Sequence, residues 1–232
     1  MKRISKDWVE SYLAEDAIAR MMREQEKPHE ASLVCQRWLR ETPPKRLIFQ
    51  ELYGDLLASG GRRVLDVGGG LTTFTRLLGE RNDFELLDLL AHDSEEEIRA
   101  FRAAAPAVRL TREDWFTRES NESYDVIVAN DLFPNVDQRL ELFLEKYLPN
   151  CREMRLSITV YNTPRYYLTR RIEGDEILCL LAWNGEMAAM ALAKFLPDFG
   201  HGDRELLATN SESPYPNKRQ LFLVRLNGGL AG

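Results

Sequence analysis

Apolar positions recur in two different rhythms along the chain. Over the first sixty residues the rhythm is helical. In "DWVESYLAEDAIARMMREQEKP", Trp8, Tyr12 and Met22, with Val9, Leu13 and Met21, follow helical spacing, and Asp7 with Glu10 three positions on resembles a capping box. Pro28 ends that helix and opens the next, "HEASLVCQRWLRE". Pro43-Pro44 predicts a break, and "KRLIFQELYGDLLAS" a third helix closed by Gly60-Gly61.

From Arg62 onward, short apolar runs alternate with helical stretches. "RRVLDV", "DFELLDLL", "AVRLTRED", "YDVIVAND" and "EMRLSITVY" read as strands. "TTFTRLLGE" with Thr72 or Thr73 as cap, "SEEEIRAFRAAAP" and "DQRLELFLEKYLPN" read as helices. Apolar strands separated by helices make a parallel sheet covered on both faces. Further on, "RYYLTRRIEGDEILCLLAW" predicts two strands about a Glu-Gly-Asp turn, and "NGEMAAMALAKFLPDF" a helix capped by Asn184. "RELLATN" and "KRQLFLVRLN" predict a closing strand pair. The expected fold class is α/β: a doubly wound, mostly parallel Rossmann-like sheet with an antiparallel closing strand and an N-terminal helical cap. The cap spans residues 1–58 and the sheet domain 59–232.

Composition narrows the partners. The 232 residues are 44% hydrophobic and 29% charged, as in an ordinary globular protein, with a formal net charge of -6. No basic tract interleaved with aromatics stands out, which disfavours nucleic acid. No apolar run approaches the roughly 18 residues that span a bilayer, and the first residues turn acidic too early for a signal peptide. Cys35, Cys151 and Cys179 match neither a disulfide framework nor a zinc site. They read as small buried hydrophobes in a reducing compartment, so the cytoplasm is the expected location and the Asn121 sequon is accidental. No ligand set with metal spacing occurs, and no metal is expected. His29, His92 and His201 are scattered, with none placed as a general base. A homodimer stays open.

"RVLDVGGGLTTFTRLL" puts three glycines directly after the first sheet strand. In a doubly wound sheet, ligands bind beyond the carboxyl ends of the strands, where strand order reverses. A phosphate loop needs a lysine that does not follow Gly70. A dinucleotide turn needs a third glycine where Thr73 stands. Asp66-Val67-Gly68-Gly69-Gly70-Leu71-Thr72 resembles the nucleoside loop of the class I S-adenosylmethionine-dependent methyltransferases, whose pattern is an acid and then glycines at alternate positions. Thr72 replaces the last of these. Asp88, twenty-two residues after Asp66, is placed to accept both ribose hydroxyls, with Leu89 beside it. The resemblance covers about residues 45–160 and the closing strands. It implies that Asp114 takes the adenine amino group, that a backbone amide near Trp115 takes the ring, and that Asn130 faces the methionine half of the cofactor.

Two loops on the same edge, "ANDLFPN" and "VYNTPRYY", supply candidates for the second reactant: Asn130, Asp131, Tyr161 and Asn162. The DNA and protein amide methylating members of the family carry an Asn-Pro-Pro-Tyr-like motif, and "NDLFPN" is not one. Tyr12 is the cap residue assigned to the site, because aromatic faces attract a sulfonium. Tyr12, Met21, Met22 and Trp38 could line an apolar chamber, although methionine and aromatic residues at helical spacing are more often plain core. The reading is methyl transfer from S-adenosylmethionine to a small-molecule acceptor. Two alternatives stay open. One is the azetidine-2-carboxylate synthase reaction, in which the cofactor's own amine displaces methylthioadenosine. The other is a noncatalytic binding subunit.

Overall fold

The computed structural model describes residues 1–119, 121–170 and 177–230. A two-residue strand, β1 (Lys2–Arg3), leads into four helices: α1 (Lys6–Leu13), α2 (Ala17–Gln25), α3 (Val34–Glu41) and α4 (Pro43–Ser59). The first two were expected as one helix, and Asp16 divides them. Its backbone is left-handed (φ 32°) and its carboxylate accepts the Ala19 N–H, so it caps a new helix inside an apolar rhythm that runs on. Ser5, rather than Asp7, caps α1 by accepting the Trp8 N–H. The break expected at Pro43-Pro44 falls at Thr42, and the two prolines begin α4, since a proline in the first turn lacks only an N–H that has no helical carbonyl to meet.

The alternating region gives β2 (Arg63–Val67), α5 (Thr73–Arg81), β3 (Asp83–Leu87), α6 (Glu95–Ala104), β4 (Arg109–Thr111), β5 (Tyr124–Ala129), α7 (Leu140–Tyr147) and β6 (Cys151–Val160). Next come β7 (Arg165–Arg170), β8 (Ile177–Ala182), α8 (Gly185–Leu192), α9 (His201–Ala208) and β9 (Gln220–Asn227). Thr72 caps α5 through the Thr75 N–H, and Asn184 caps α8 through the Met187 N–H.

The main sheet has the order β1-β9-β6-β5-β2-β3-β4. The five strands from β6 to β4 are parallel, and β9 runs antiparallel to β6 from Val160↔Gln220 to Glu153↔Asn227. "RELLATN" is not a strand: its first five residues complete α9, with Leu207 buried, because so short an apolar-polar mix carries no period of its own. The outer edge of β9 is covered instead by β1, in the register Lys2↔Leu223 and Arg3↔Phe222. Strands β7 and β8 form a separate antiparallel pair, and the Glu-Gly-Asp turn expected between them lies outside the described residues.

Alternate residues of the central strands feed two cores. Val64, Leu86, Val126 and Val128 pack with α1, α2, α4, α5 and α6, while Leu65, Leu87, Ile127 and Ala129 pack with α7, α8 and α9. The chain leaves β2 for β3 and β4 on one side and returns to β5 on the other. The carboxyl ends of β2 and β5 therefore flank the point where strand order reverses. Among the described residues, no helix is long and apolar enough to cross a membrane. Cys179 departs from the sequence reading: it is exposed on β8, whereas Cys151 is buried.

Candidate active site

The glycine turn is shaped from below by Asp66. This residue lies near the end of β2, only 3% exposed, and Tyr53 of α4 donates its hydroxyl to Oδ1 at 2.9 Å. A Cβ at Gly69 would stand 2.1 Å from Asp66 Oδ2, so backbone must rest directly on the carboxylate there. Gly70 has φ +69°, and a Cβ on it would meet Cys35 Sγ at 2.2 Å. Asp66 thus supports the turn and does not itself line the cavity above it.

Burial pushes the Asp66 carboxyl up to about 7, the nearby Asp88 charge adds to the effect, and the Tyr53 bond opposes it. The folded protein then holds this proton while the unfolded chain releases it near the ordinary 3.8. The folded state binds more protons across that interval, so this group's stabilisation is complete below about pH 4 and is lost as pH rises through about 7. Asp66→Asn cannot ionise. In urea titrations from pH 4 to 8 the variant should lose this downward slope, a difference of a few kcal/mol at most at about 1.4 kcal/mol per pK unit. Parallel wild-type and variant profiles would contradict it.

Asp88 directly follows β3. Its Oδ2 accepts the Gly70 N–H at 3.0 Å and its Oδ1 accepts the Leu90 N–H at 2.7 Å. Both oxygens are thereby oriented by backbone of the two loops that meet at the sheet edge. Leu89 beside it is 52% exposed and lines the same cavity.

Asp114 and Trp115 also line it. The Asp114 carboxylate accepts the Phe116 N–H at 2.9 Å and pairs with Arg139 at 3.2 Å. Arg139 lies 4.7 Å above the Trp115 ring and also holds Asp137, to which the Trp115 indole donates at 2.7 Å. The indole is otherwise buried against Phe133, Phe143 and Tyr147.

Beyond β5, Ser157 ties two candidates together. Its hydroxyl donates to Asn130 Oδ1 at 2.8 Å and accepts the Asp131 N–H at 2.7 Å. Asp131 has left-handed backbone (φ 56°), and its carboxylate meets Lys45 at 2.9 Å and Arg219 at 3.2 Å. Burial alone would raise its pKa, but Lys45 and Arg219 outweigh that and hold it below the ordinary carboxylate value. Tyr161 completes this wall, with Tyr167 of β7 at 6.2 Å between ring centroids.

These groups surround a cavity of about 780 Å³, within the roughly 300–1,000 Å³ typical of small-molecule sites. Several of the residues expected in it are elsewhere. Tyr12 packs among the N-terminal helices with its hydroxyl accepting the Ile18 N–H at 3.2 Å, because the break at Asp16 turns α2 back onto it. Asn162 borders a second, smaller cleft of about 350 Å³ beside α8, since the chain turns after Tyr161. Met22 is core, and of the apolar chamber residues only Trp38 reaches the cavity. The sequence reading missed Lys45, Arg139, Arg219 and the β8 residues Leu178 and Leu180. Each is distant in sequence from the glycine turn, and none carries a motif. His92 stands in the wall, edge-on to Trp38 at 5.1 Å between ring centroids. Among the described residues, no group of three or more histidine, cysteine or acidic side chains is placed to hold a metal.

No protein-family model matches this chain, and no curated protein matches it in sequence. Solved structures do match. The 1,6-didemethyltoxoflavin N1-methyltransferase of Burkholderia thailandensis, solved with 1,6-didemethyltoxoflavin and S-adenosylhomocysteine, is 13% identical with a TM-score of 0.52, covering 95% of this chain and 86% of its own. The N-methyltransferase NodS of Bradyrhizobium japonicum WM9, solved with S-adenosylhomocysteine, is 14% identical with a TM-score of 0.46, covering 95% and 97%. The fold of this chain is that of the class I S-adenosylmethionine-dependent methyltransferases.

Proposed function

We propose that this protein is an S-adenosylmethionine-dependent methyltransferase of the cytoplasm with a small-molecule acceptor. The observation that carries the reading is Asp88. At the strand edge beside the reversal of strand order, its two oxygens are fixed by the Gly70 and Leu90 N–H groups, next to a turn with no room for a side chain at Gly69 or Gly70. A carboxylate so oriented suits the two vicinal hydroxyls of a ribose. Neither a phosphate lysine nor a third dinucleotide glycine accompanies it.

In this reading Gly68, Gly69 and Gly70 allow the nucleoside to approach backbone, and Asp88 holds the ribose. The loop at Asp114 and Trp115 borders the adenine, with Arg139 closing that end. Asn130, fixed by Ser157, faces the methionine half. Residues 1–58 act as a cap that contributes Trp38, Thr42 and Lys45 to the wall, over a ligand-binding body of 59–232. S-adenosylmethionine supplies a methyl group on a sulfonium. The protein's part is to align an acceptor atom behind that carbon and exclude water, and such placement can supply roughly 7–11 kcal/mol.

Products identified by mass spectrometry test this. The protein is incubated with S-adenosylmethionine from pH 7 to 9, alone and with pooled small-molecule acceptors. S-adenosylhomocysteine is expected, and only when acceptors are present. Enzyme-dependent methylthioadenosine without any acceptor would replace transfer with cyclisation. Tight binding with no product of either kind would indicate a noncatalytic subunit.

A further inference from the structure

We infer that the acceptor end of the cavity is built to recognise a single negative charge, and that the acceptor is a small carboxylic acid with an apolar or aromatic body. The inference deepens the methyl-transfer reading and rests on it.

Charge is unevenly spread around the cavity. Asp88, Asp93, Glu113, Asp114 and Asp137 line it with Arg139. At Asp131, two cations, Lys45 and Arg219, meet one carboxylate. One positive charge is therefore in excess in a region where the side chains of Asp131 and Arg219 are only 15% and 11% exposed. A monoanion balances that excess, and a neutral ligand would leave it buried.

The excess centres on Arg219. Lys45 has its ammonium 2.9 Å from Asp131 and 5.0 Å from the Trp38 ring centroid, and keeps 23% side-chain exposure. Arg219 meets Asp131 through Nη1, and its guanidinium is stacked 4.1 Å from the Tyr215 ring centroid. Its Nε is buried and has no hydrogen-bond partner among the described residues. A stacked guanidinium with one nitrogen on Asp131 and another donor unused is preorganised for a planar oxygen pair. The walls beside it are apolar. Tyr167, Leu178 and Leu180 are the cavity-lining residues of the β7–β8 pair, with Tyr167 directly opposite Leu180 in register. A carboxylate on Arg219 with an apolar body against this hairpin satisfies both features.

The carboxylate could instead belong to the cofactor's methionine tail, and the experiment separates the two sources. Benzoate and its neutral isostere benzamide are titrated by NMR into the protein, with and without saturating S-adenosylhomocysteine. Benzoate is expected to bind alongside S-adenosylhomocysteine, at least tenfold more tightly than benzamide. Arg219→Gln should weaken benzoate about ten- to 150-fold, the range for losing a bond to a charged group, and weaken S-adenosylhomocysteine far less. Equal binding of benzoate and benzamide would overturn the inference. So would displacement of benzoate by S-adenosylhomocysteine, which would assign Arg219 to the cofactor tail. If the variant does not fold, the wild-type comparison of benzoate with benzamide decides alone. Carboxylate selectivity in a protein that ignores S-adenosylhomocysteine would remove the cofactor reading and keep the anion subsite.

Discussion

Asp131→Ala is expected to destabilise the fold by about 3 kcal/mol, the low end for removing one partner of a buried ion pair. Its carboxylate is the common partner of Lys45 on α4 and Arg219 at the start of β9. Without it, two cations face each other across the cavity with little water to screen them. Lys45 keeps 23% side-chain exposure and can turn outward, which limits the loss. Arg219 cannot, held over Tyr215 at 11% exposure. Asp131→Ala with Arg219→Gln should therefore recover part of the loss, because the trapped charge goes too. Urea denaturation of the two variants measures this. A loss under 0.5 kcal/mol on the scale of exposed pairs, or no recovery in the double variant, would mean the network carries no net stability.

The second large effect concerns binding. Asp88→Ala should weaken S-adenosylhomocysteine by roughly 1.5–3 kcal/mol, about ten- to 150-fold, if the carboxylate accepts the ribose hydroxyls. The fold should survive, since the side chain packs no core. Calorimetry gives the affinity and circular dichroism the fold. Unchanged affinity would place the ribose elsewhere. Asp93, which lines the same cavity, would then be the next candidate, ahead of Glu85, which is 1% exposed and taken by Arg118 at 2.7 Å and the Tyr124 hydroxyl at 2.9 Å.

The sheet was legible because its strands are short apolar runs bounded by turn residues, and the same period placed Asp88, Asp114 and Asn130 on the edge they occupy. What escaped the sequence has physical reasons. Asp16 interrupts an unbroken apolar rhythm through its own side-chain cap, a local effect that periodicity does not register. Lys2 and Arg3 pair with β9 across more than two hundred residues, and two polar residues carry no strand signal. Lys45 and Arg219 meet only at Asp131, which brings α4, the β5 loop and β9 together, so their role exists only in three dimensions. Tyr12 lies outside the cavity for the converse reason. Its spacing fits a cap facing inward, but the turn at Asp16 supplies a nearer partner in the Ile18 N–H.

Thermal unfolding with competing ligands tests the central claim most directly, because a ligand that binds only the native state raises the melting temperature by mass action. At a hundredfold excess over its dissociation constant, S-adenosylhomocysteine should add about 2.7 kcal/mol, with a matching rise from S-adenosylmethionine and none from NADH or ATP. A comparable rise with NADH or ATP, or no shift with S-adenosylhomocysteine, would contradict the assignment of this cavity.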